Sequence, residues 1–241
     1  MPGIAVENYW FRRHEAAYHA VRRLLPPSGR VLEAGIGEGY GAAMLAADGH
    51  RVVGLDYDPV TVRHVRQRYP AVPVARGNAV HLPFATGSQD AVVSMQLIEH
   101  LWDQPRHIAE CARLLRPGGH LVVATPNRYT FSPGYDPATD RPRNLYHTRE
   151  FSAAELTTLI GRFLPVRAVH GVRAGERLRA LDATLRERYG ADLVQAQLAG
   201  PAERWPTELH EHVGSVRAED FDVTTADVDT SLDLLVVAVR G

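Results

Sequence analysis

One short run constrains this chain more than any other: Glu33-Ala34-Gly35-Ile36-Gly37-Glu38-Gly39. It ends an apolar stretch of strand length, Val31-Leu32-Glu33-Ala34, and precedes the alanine-rich segment Ala42–Ala47, which reads as a helix. Glycines at alternate positions let the chain turn sharply and let a ligand approach the backbone closely. A strand passing into a helix through such a turn opens an α/β unit. A generic tight turn would use the same glycines, so the rest of the chain must decide between the two.

Downstream the pattern alternates regularly. Residues 5–25 read as a helix, with Trp10, Ala17, Val21 and Leu24 roughly on one side, closed by Pro26-Pro27-Ser28-Gly29. Further strands are expected at Arg51–Asp56, Val72–Ala75, Asp90–Gln96 and His120–Thr125, the last after the turn Pro117-Gly118-Gly119. Asp58-Pro59 opens a helix with aspartate as N-cap and proline at N1, and Ile108–Leu115 sits on another. After Phe151, Ser152 and Glu155 form a capping box. A sixth strand is expected near 163–172 and a last one at Leu232–Val239. Between them, residues 174–199 read as one amphipathic helix with Leu178, Leu181, Leu185, Tyr189 and Leu193 along one side. Core packing explains that stripe; a homodimer face is the alternative. The fold class is therefore α/β: a Rossmann-like, mostly parallel sheet of seven strands with helices on both faces.

Ligands in such sheets bind beyond the carboxyl ends of the strands, and the polar residues cluster there. The run ExGxGxG differs from the GxGxxG of dinucleotide sites, and Glu33 would repel a pyrophosphate but suit a cationic ligand with an ammonium group. Asp56 ends the second strand about 20 residues past Gly35, where an acid can accept from both ribose hydroxyls. Gly77-Asn78-Ala79 follows the third strand, where a side-chain amide can read an adenine amino group.

Glu33–Gly39, Asp56, Asn78-Ala79, Asp90–His100 and Leu115-Arg116-Pro117-Gly118-Gly119 resemble, in order, the motifs of class I S-adenosylmethionine (SAM)-dependent methyltransferases, across residues 28–127. The resemblance implies SAM as cofactor. It assigns Glu33 to the methionine end, Gly35, Gly37 and Gly39 to the turn, Asp56 and Tyr57 to the ribose, Asn78 and Ala79 to the adenine, and Gln96 to the cofactor's edge. The family often has aspartate at the place of Asn78; asparagine still accepts from the adenine amino group. It also implies one domain, with 1–27 as an N-terminal lid helix, 28–126 as the SAM-binding core, 127–231 as acceptor-recognition loops and a helical insertion, and 232–240 as the last strand.

Methyl transfer needs alignment of the acceptor and removal of its proton. Glu99-His100 at the end of strand four offers either a base pair or two metal ligands. Gln96-Leu97-Ile98-Glu99-His100 resembles the quinone-pathway O-methyltransferases, whose ExxEH holds a divalent metal such as Mg2+. Gln96 replaces the first acid here, so only Glu99 and His100 carry over; a local helix cap is the plain alternative. Thr125–Arg128 and Asn144–Phe151 resemble methyltransferases of sugars, glycolipids and quinone precursors. They point to His147 as general base and to Arg128 and Tyr146 as acceptor contacts. Arg128, Arg141, Arg143 and Arg149 could bind hydroxyls or a carboxylate, or form a solvated loop. In the first helix, Trp10, Arg13 and His14 are candidate acceptor contacts, because aromatic faces suit sugar rings and sulfonium cations. Glu208–His212 reads as a polar surface segment; it lacks the HExxH spacing.

Composition narrows the remaining classes. All 27 cationic residues are arginine, which removes lysine-based chemistry. The formal net charge is -1, and the DPPY/NPPY motif is replaced by Ser94-Met95-Gln96-Leu97, so a nucleic-acid amino acceptor is not expected. One cysteine, Cys111, and no apolar leader or spanning stretch fit a cytoplasmic protein. The expectation is an O-methyltransferase for a small hydroxylated molecule, a sugar or glycoside (polysaccharide-precursor type) being favoured. A quinone or catechol acceptor and a SAM-binding regulator are the alternatives; an NAD oxidoreductase fits the glycine spacing poorly.

Overall fold

A computed structural model describes residues 3–241. The first helix, α1 (Asn8–Leu24), is followed by β1 (Arg30–Ala34), α2 (Tyr40–Ala47), β2 (Arg51–Asp56), α3 (Pro59–Arg68) and β3 (Val74–Arg76). Then come β4 (Gln89–Met95), α4 (Gln104–Leu114), β5 (Leu115–Pro126), the single turn α5 (Arg128–Phe131) and α6 (Ala153–Gly161). The last part holds β6 (Val166–Ala174), α7 (Glu176–Tyr189), α8 (Leu193–Leu198), α9 (Thr207–Ser215), β7 (Phe221–Thr224) and β8 (Asp233–Val239). The strands form one sheet in the order β3-β2-β1-β4-β5-β8-β6-β7. The pairs among β1 to β5 are parallel, and β8 runs antiparallel between β5 and β6.

The expected architecture holds, with one strand more than the seven read from the sequence. The addition, β7, is a four-residue edge strand antiparallel to β6, too short to show a period of two. The helix expected over 174–199 is two helices. Gly190 takes φ +69° and ends α7, and Asp192 caps α8 through a capping box with Gln195. Leu178, Leu185 and Leu193 of its stripe are core residues, while Tyr189 is exposed.

Two cores flank the sheet. Leu32, Val92, Leu121, Val123 and Val236 pack with α4 and α6 on one face. Val31, Val93, Val122, Leu235 and Val237 pack with α1, α2, α7 and α9 on the other. Adjacent strand residues thus serve opposite cores, as the pleat requires.

α1 buries Tyr9, Arg13, Ala16, Ala17, Ala20 and Val21 along one side, so it is part of the core. Arg13 is the cation on that side. It donates through Nε to Asp233 Oδ2 at 2.5 Å and through Nη2 to Oδ1 at 2.6 Å, and Nη2 also reaches the Leu232 carbonyl at 2.8 Å. Gln96 Nε2 donates to the same Asp233 Oδ1 at 3.2 Å. This bidentate pair fastens α1 to the start of β8 and, through Gln96, to the end of β4. A turn further on, Tyr18 passes so close to α2 that a Cβ on Gly41 would sit 2.0 Å from its ring.

Removing Asp233 leaves a buried guanidinium unpaired. Asp233→Ala is expected to lower unfolding stability by about 3–5 kcal/mol in urea titration; a loss within experimental error would show that the pair does not hold α1 in place.

Candidate active site

The glycine run turns between β1 and α2 with Gly35 at φ +73° and Gly39 at φ +80°, conformations that favour glycine. A Cβ on Gly35 would also lie 2.8 Å from Leu97. Leu97 starts the turn after β4, so that turn and the glycine run face each other across one cleft. Gly37 N donates to Asp56 Oδ2 at 3.1 Å and Asp58 N to Oδ1 at 3.0 Å, which fixes the carboxylate at the end of β2. The cleft, about 300 Å³, is lined by Gly35, Asp56, Tyr57, Asn78, Ala79, Leu97 and Leu101. Asn78 Oδ1 accepts from Val80 N at 3.0 Å. Buried His107 holds this loop to the sheet: its Nδ1 lies 3.0 Å from the Ala79 carbonyl and its Nε2 3.0 Å from Ser94 Oγ. The carbonyl must accept from Nδ1–H, so Nε2 accepts from the serine.

Glu33 is fully buried beside the glycine run. The Tyr18 hydroxyl donates to its Oε1, while Oε2 has no partner among the described residues. Burial pushes the carboxyl up to about 8. A buried acid with one free oxygen suits a ligand that brings its own ammonium. Together with Asp56 and the open backbone of the turn, it fits SAM: Glu33 would hold the amino group, Asp56 the ribose, and Asn78-Ala79 the adenine.

A second group stands where β4 and β5 end. Ligand atoms of Glu99, His100 and His147 all lie within 4.8 Å of one another, so the fold unites the three residues read as catalytic. Glu99 is buried in the 3-10 turn Ile98–His100, between the cleft residues Leu97 and Leu101. Its Oε2 accepts from Thr125 Oγ1 at 2.9 Å, and burial pushes it up to about 8. His100 Nδ1 lies 3.0 Å from the Tyr146 carbonyl, which leaves its Nε2 facing Glu99 Oε1 at 4.0 Å. Burial lowers the His100 pKa from its ordinary value, and nearby His147 adds to that.

His147 is buried and held at both nitrogens. Nδ1 lies 2.8 Å from Glu150 Oε1, and Nε2 lies 3.0 Å from Asn144 Nδ2. The carboxylate fixes the tautomer: Nδ1 carries the proton and Nε2 the lone pair, which the Asn144 amide caps. Glu150 is fully buried, and its Oε2 has no partner among the described residues. Sequence reasoning passed over Glu150; its place three residues after His147 was the available signal. Thr125, Asp233, Tyr18 and His107 were also missed as site residues, and nothing local marks their long-range contacts.

The cluster does not suit Mg2+. Two imidazoles and one carboxylate are a donor set for softer ions, and magnesium favours oxygen. His147 Nδ1 is held by Glu150, so Nε2, now facing the Asn144 amide, is the atom that any ligand would have to take over.

A wider cleft of about 550 Å³ opens over the ends of β5 and β6 and the start of β8; Tyr9, Arg13, Thr130, Phe131 and Leu232 are among its walls. The Phe131 ring, in the wall of this cleft, lies 5.3 Å from the buried His147 ring, which stands behind it. Of the proposed acceptor contacts, Arg13 lines this cleft, and Trp10 packs edge-on against Tyr9. His14 contacts Tyr40 Oη at 3.2 Å, and burial lowers its pKa to about 4. Arg128 is engaged with Glu155 and the Tyr135 carbonyl, and the Tyr146 side chain points into solvent. Those three are not brought to the cluster as side chains. Glu208–His212 lies on α9, with Glu208 bound to Arg188, Tyr189 and His212 at the surface.

Residues 32–123 match the family model described as a methyltransferase domain. The whole chain is 49% identical to a probable S-adenosylmethionine-dependent methyltransferase of Mycolicibacterium smegmatis, covering 92% of that protein. It is 47% identical to a probable S-adenosylmethionine-dependent methyltransferase of Mycobacterium tuberculosis, covering 87% of it. In fold it is similar to a solved SAM-dependent methyltransferase of Thermotoga maritima, with a TM-score of 0.66 at 20% identity over 98% of this chain and 94% of that one.

Glu33 at about 8 is protonated at pH 7 in the free protein, and an ammonium beside it favours the carboxylate. SAM binding at pH 7 is therefore expected to release close to one proton. Calorimetry in buffers of different ionisation enthalpy reads this as a slope, and Glu33→Gln should flatten it. A flat slope in the unsubstituted protein would contradict the assignment of Glu33 to the amino group.

Proposed function

Since the chain belongs to the class I SAM-dependent methyltransferase family, we propose that it transfers the methyl group to a hydroxyl of a small molecule, a sugar or short glycoside being favoured. The observation that carries this reading is the Glu150–His147 pair beside Glu99 and His100. A neutral amine needs no strong base, whereas an alcohol must lose its proton as it attacks. An imidazole backed by a buried carboxylate is the arrangement that accepts such a proton.

SAM supplies an electrophilic methyl on a sulfonium when bound. Glu33, Asp56 and Asn78-Ala79, at the carboxyl ends of β1, β2 and β3, would hold it. An acceptor hydroxyl would displace the Asn144 amide from His147 Nε2 and give its proton to that atom; its oxygen would gain the methyl as the sulfur–methyl bond breaks and the sulfur leaves as a neutral thioether. Glu150 Oε1 keeps the Nδ1 proton and stabilises the imidazolium formed. Glu99, uncharged at neutral pH because burial holds it near 8, donates or accepts a hydrogen bond without repelling the developing negative charge. His100 Nε2 offers a second acceptor for a neighbouring hydroxyl. Grouped donors and acceptors of this kind suit a polyol better than an isolated phenol.

Labelled methyl transfer from SAM to glycosides and to catechols tests the acceptor class. Label on a glycoside, retained with chelator, supports the reading; label confined to catechols replaces the acceptor, and SAM binding without label on any hydroxyl removes the assignment. His147→Ala and Glu150→Gln are expected to lower kcat by about 10²–10⁴-fold with SAM affinity unchanged; full turnover would remove His147 as the base. Glu99→Gln should keep turnover within a few-fold at pH 7, because glutamine mimics the protonated acid. Its rate should stay level above pH 8, where ionisation of Glu99 slows the natural enzyme. Abolished turnover at pH 7 would mean that Glu99 acts as a carboxylate.

A further inference from the structure

We infer that the acceptor carries an oxyanion, a phosphate or a carboxylate, held by arginines at the end of the wide cleft away from the glycine run. The inference rests on the hydroxyl-transfer reading above and adds the class of acceptor.

The wide cleft is larger than the cofactor cleft and well within the range of small-molecule sites. Five arginines line it: Arg13, Arg143, Arg173, Arg179 and Arg186. Two come from one face of α7. Arg179 and Arg186 are seven residues apart, two turns of helix, with Asp182 between them on the same side. Arg173 extends from the end of β6, and Arg143 from the 127–150 loop.

Their charges are not matched equally. Arg13 is neutralised by Asp233, and Arg186 by Asp192 at 2.8 Å. Arg173 reaches the Ala226 carbonyl and Asp227, a carboxylate largely in solvent, each at 3.5 Å, and such a surface ion pair contributes little. Arg179 gives Nη1 to the Ala174 carbonyl at 2.9 Å. Neither Arg179 nor Arg143 has a carboxylate partner among the described residues. The remaining acid of the wall, Asp182, accepts from Leu193 N at 3.0 Å, and burial raises its pKa, which weakens its opposition to an anion. The chain as a whole is close to neutral, so unmatched guanidinium groups in one cleft mark a local preference. The planar guanidinium matches two oxygens of a carboxylate or phosphate at once.

The position makes chemical sense. Phe131 borders the cleft on one side and the His147 ring on the other. An acceptor anchored by its anion on Arg143, Arg173 and Arg179 extends past Phe131 with hydroxyls toward His147 Nε2. Anchoring at a distance is what aligns one hydroxyl among several similar ones.

The test is calorimetry on protein loaded with S-adenosylhomocysteine, using glucose, glucose 6-phosphate and glucuronate as probes. At least one anionic probe is expected to bind about tenfold tighter than glucose, and Arg143→Gln or Arg179→Gln should each remove about tenfold of that affinity. Added salt should weaken the same binding. Cofactor-product affinity should stay unchanged in both variants, which shows that they fold. Preference for the phosphate alone identifies a phosphoryl group, and preference for glucuronate a carboxylate. Equal binding of all three probes, including none detectable, or a preference that survives both substitutions, overturns the inference. Methyl transfer measured alongside separates the two readings. Arginine-dependent anion binding without label on any hydroxyl leaves this inference and removes hydroxyl transfer; label on a neutral glycoside with both variants fully active does the reverse.

Discussion

The buried pair between Arg13 and Asp233 is the joint on which both clefts depend. It lies where α1 crosses the carboxyl end of the sheet, and it joins three elements distant in sequence: the first helix, the start of β8 and, through Gln96, the end of β4. Taking two charges out of water is costly, and only bidentate geometry with further hydrogen bonds offsets it. Both conditions are met here. With α1 seated, Tyr9 and Arg13 become walls of the wide cleft, and Tyr18, further along the helix, reaches Glu33 in the cofactor cleft. Gln96 takes φ +52°, a conformation unusual for a residue with a side chain. The hydrogen bond from its side-chain amide to Asp233 holds it at the point where β4 gives way to the 3-10 turn Ile98–His100.

Around this joint the protein buries three acids at the ends of its strands, each differently satisfied. Glu33 receives one hydroxyl from Tyr18, Glu99 one from Thr125, and Glu150 the ring nitrogen of His147. Glu33 and Glu150 each keep one oxygen with no partner among the described residues. Burying polar atoms unsatisfied is unfavourable unless something else completes them. An ammonium at Glu33 and an imidazolium at His147 would complete them. Gly35, Asp56 and Asn78 line the smaller cleft. Glu99, His100 and His147 gather where β4 and β5 end, and Leu97 and Leu101, on either side of Glu99 and His100, line that cleft as well.

The lining of the smaller cleft was legible from sequence because its demands are local. Gly35, Gly37 and Gly39 are required by backbone angles, Asp56 ends β2, and Asn78 follows β3 by two residues. The strand pattern predicted the sheet because seven of its segments are apolar over several residues; β7, with four residues at an edge, gave no such pattern. Glu99, His100 and His147 were legible by resemblance, and the fold brings them together. Glu150 stayed hidden because a buried acid in a polar loop looks like a surface residue until its partner is known, and Thr125 and Asp233 because, at the ends of apolar strands, their partners lie far away in sequence. Arg128 shows the converse. It stands beside the strand end, as an acceptor contact would, yet Glu155 and the Tyr135 carbonyl engage it.

A crystal structure with S-adenosylhomocysteine bound tests the division into two connected clefts most directly. The account predicts the amino group on Glu33 Oε2, the ribose hydroxyls on Asp56, and the sulfur turned toward His100 and His147, with the Phe131 border open to the wide cleft. A ligand whose sulfur faces away from those imidazoles, with Glu33 still bound only to Tyr18, would contradict it.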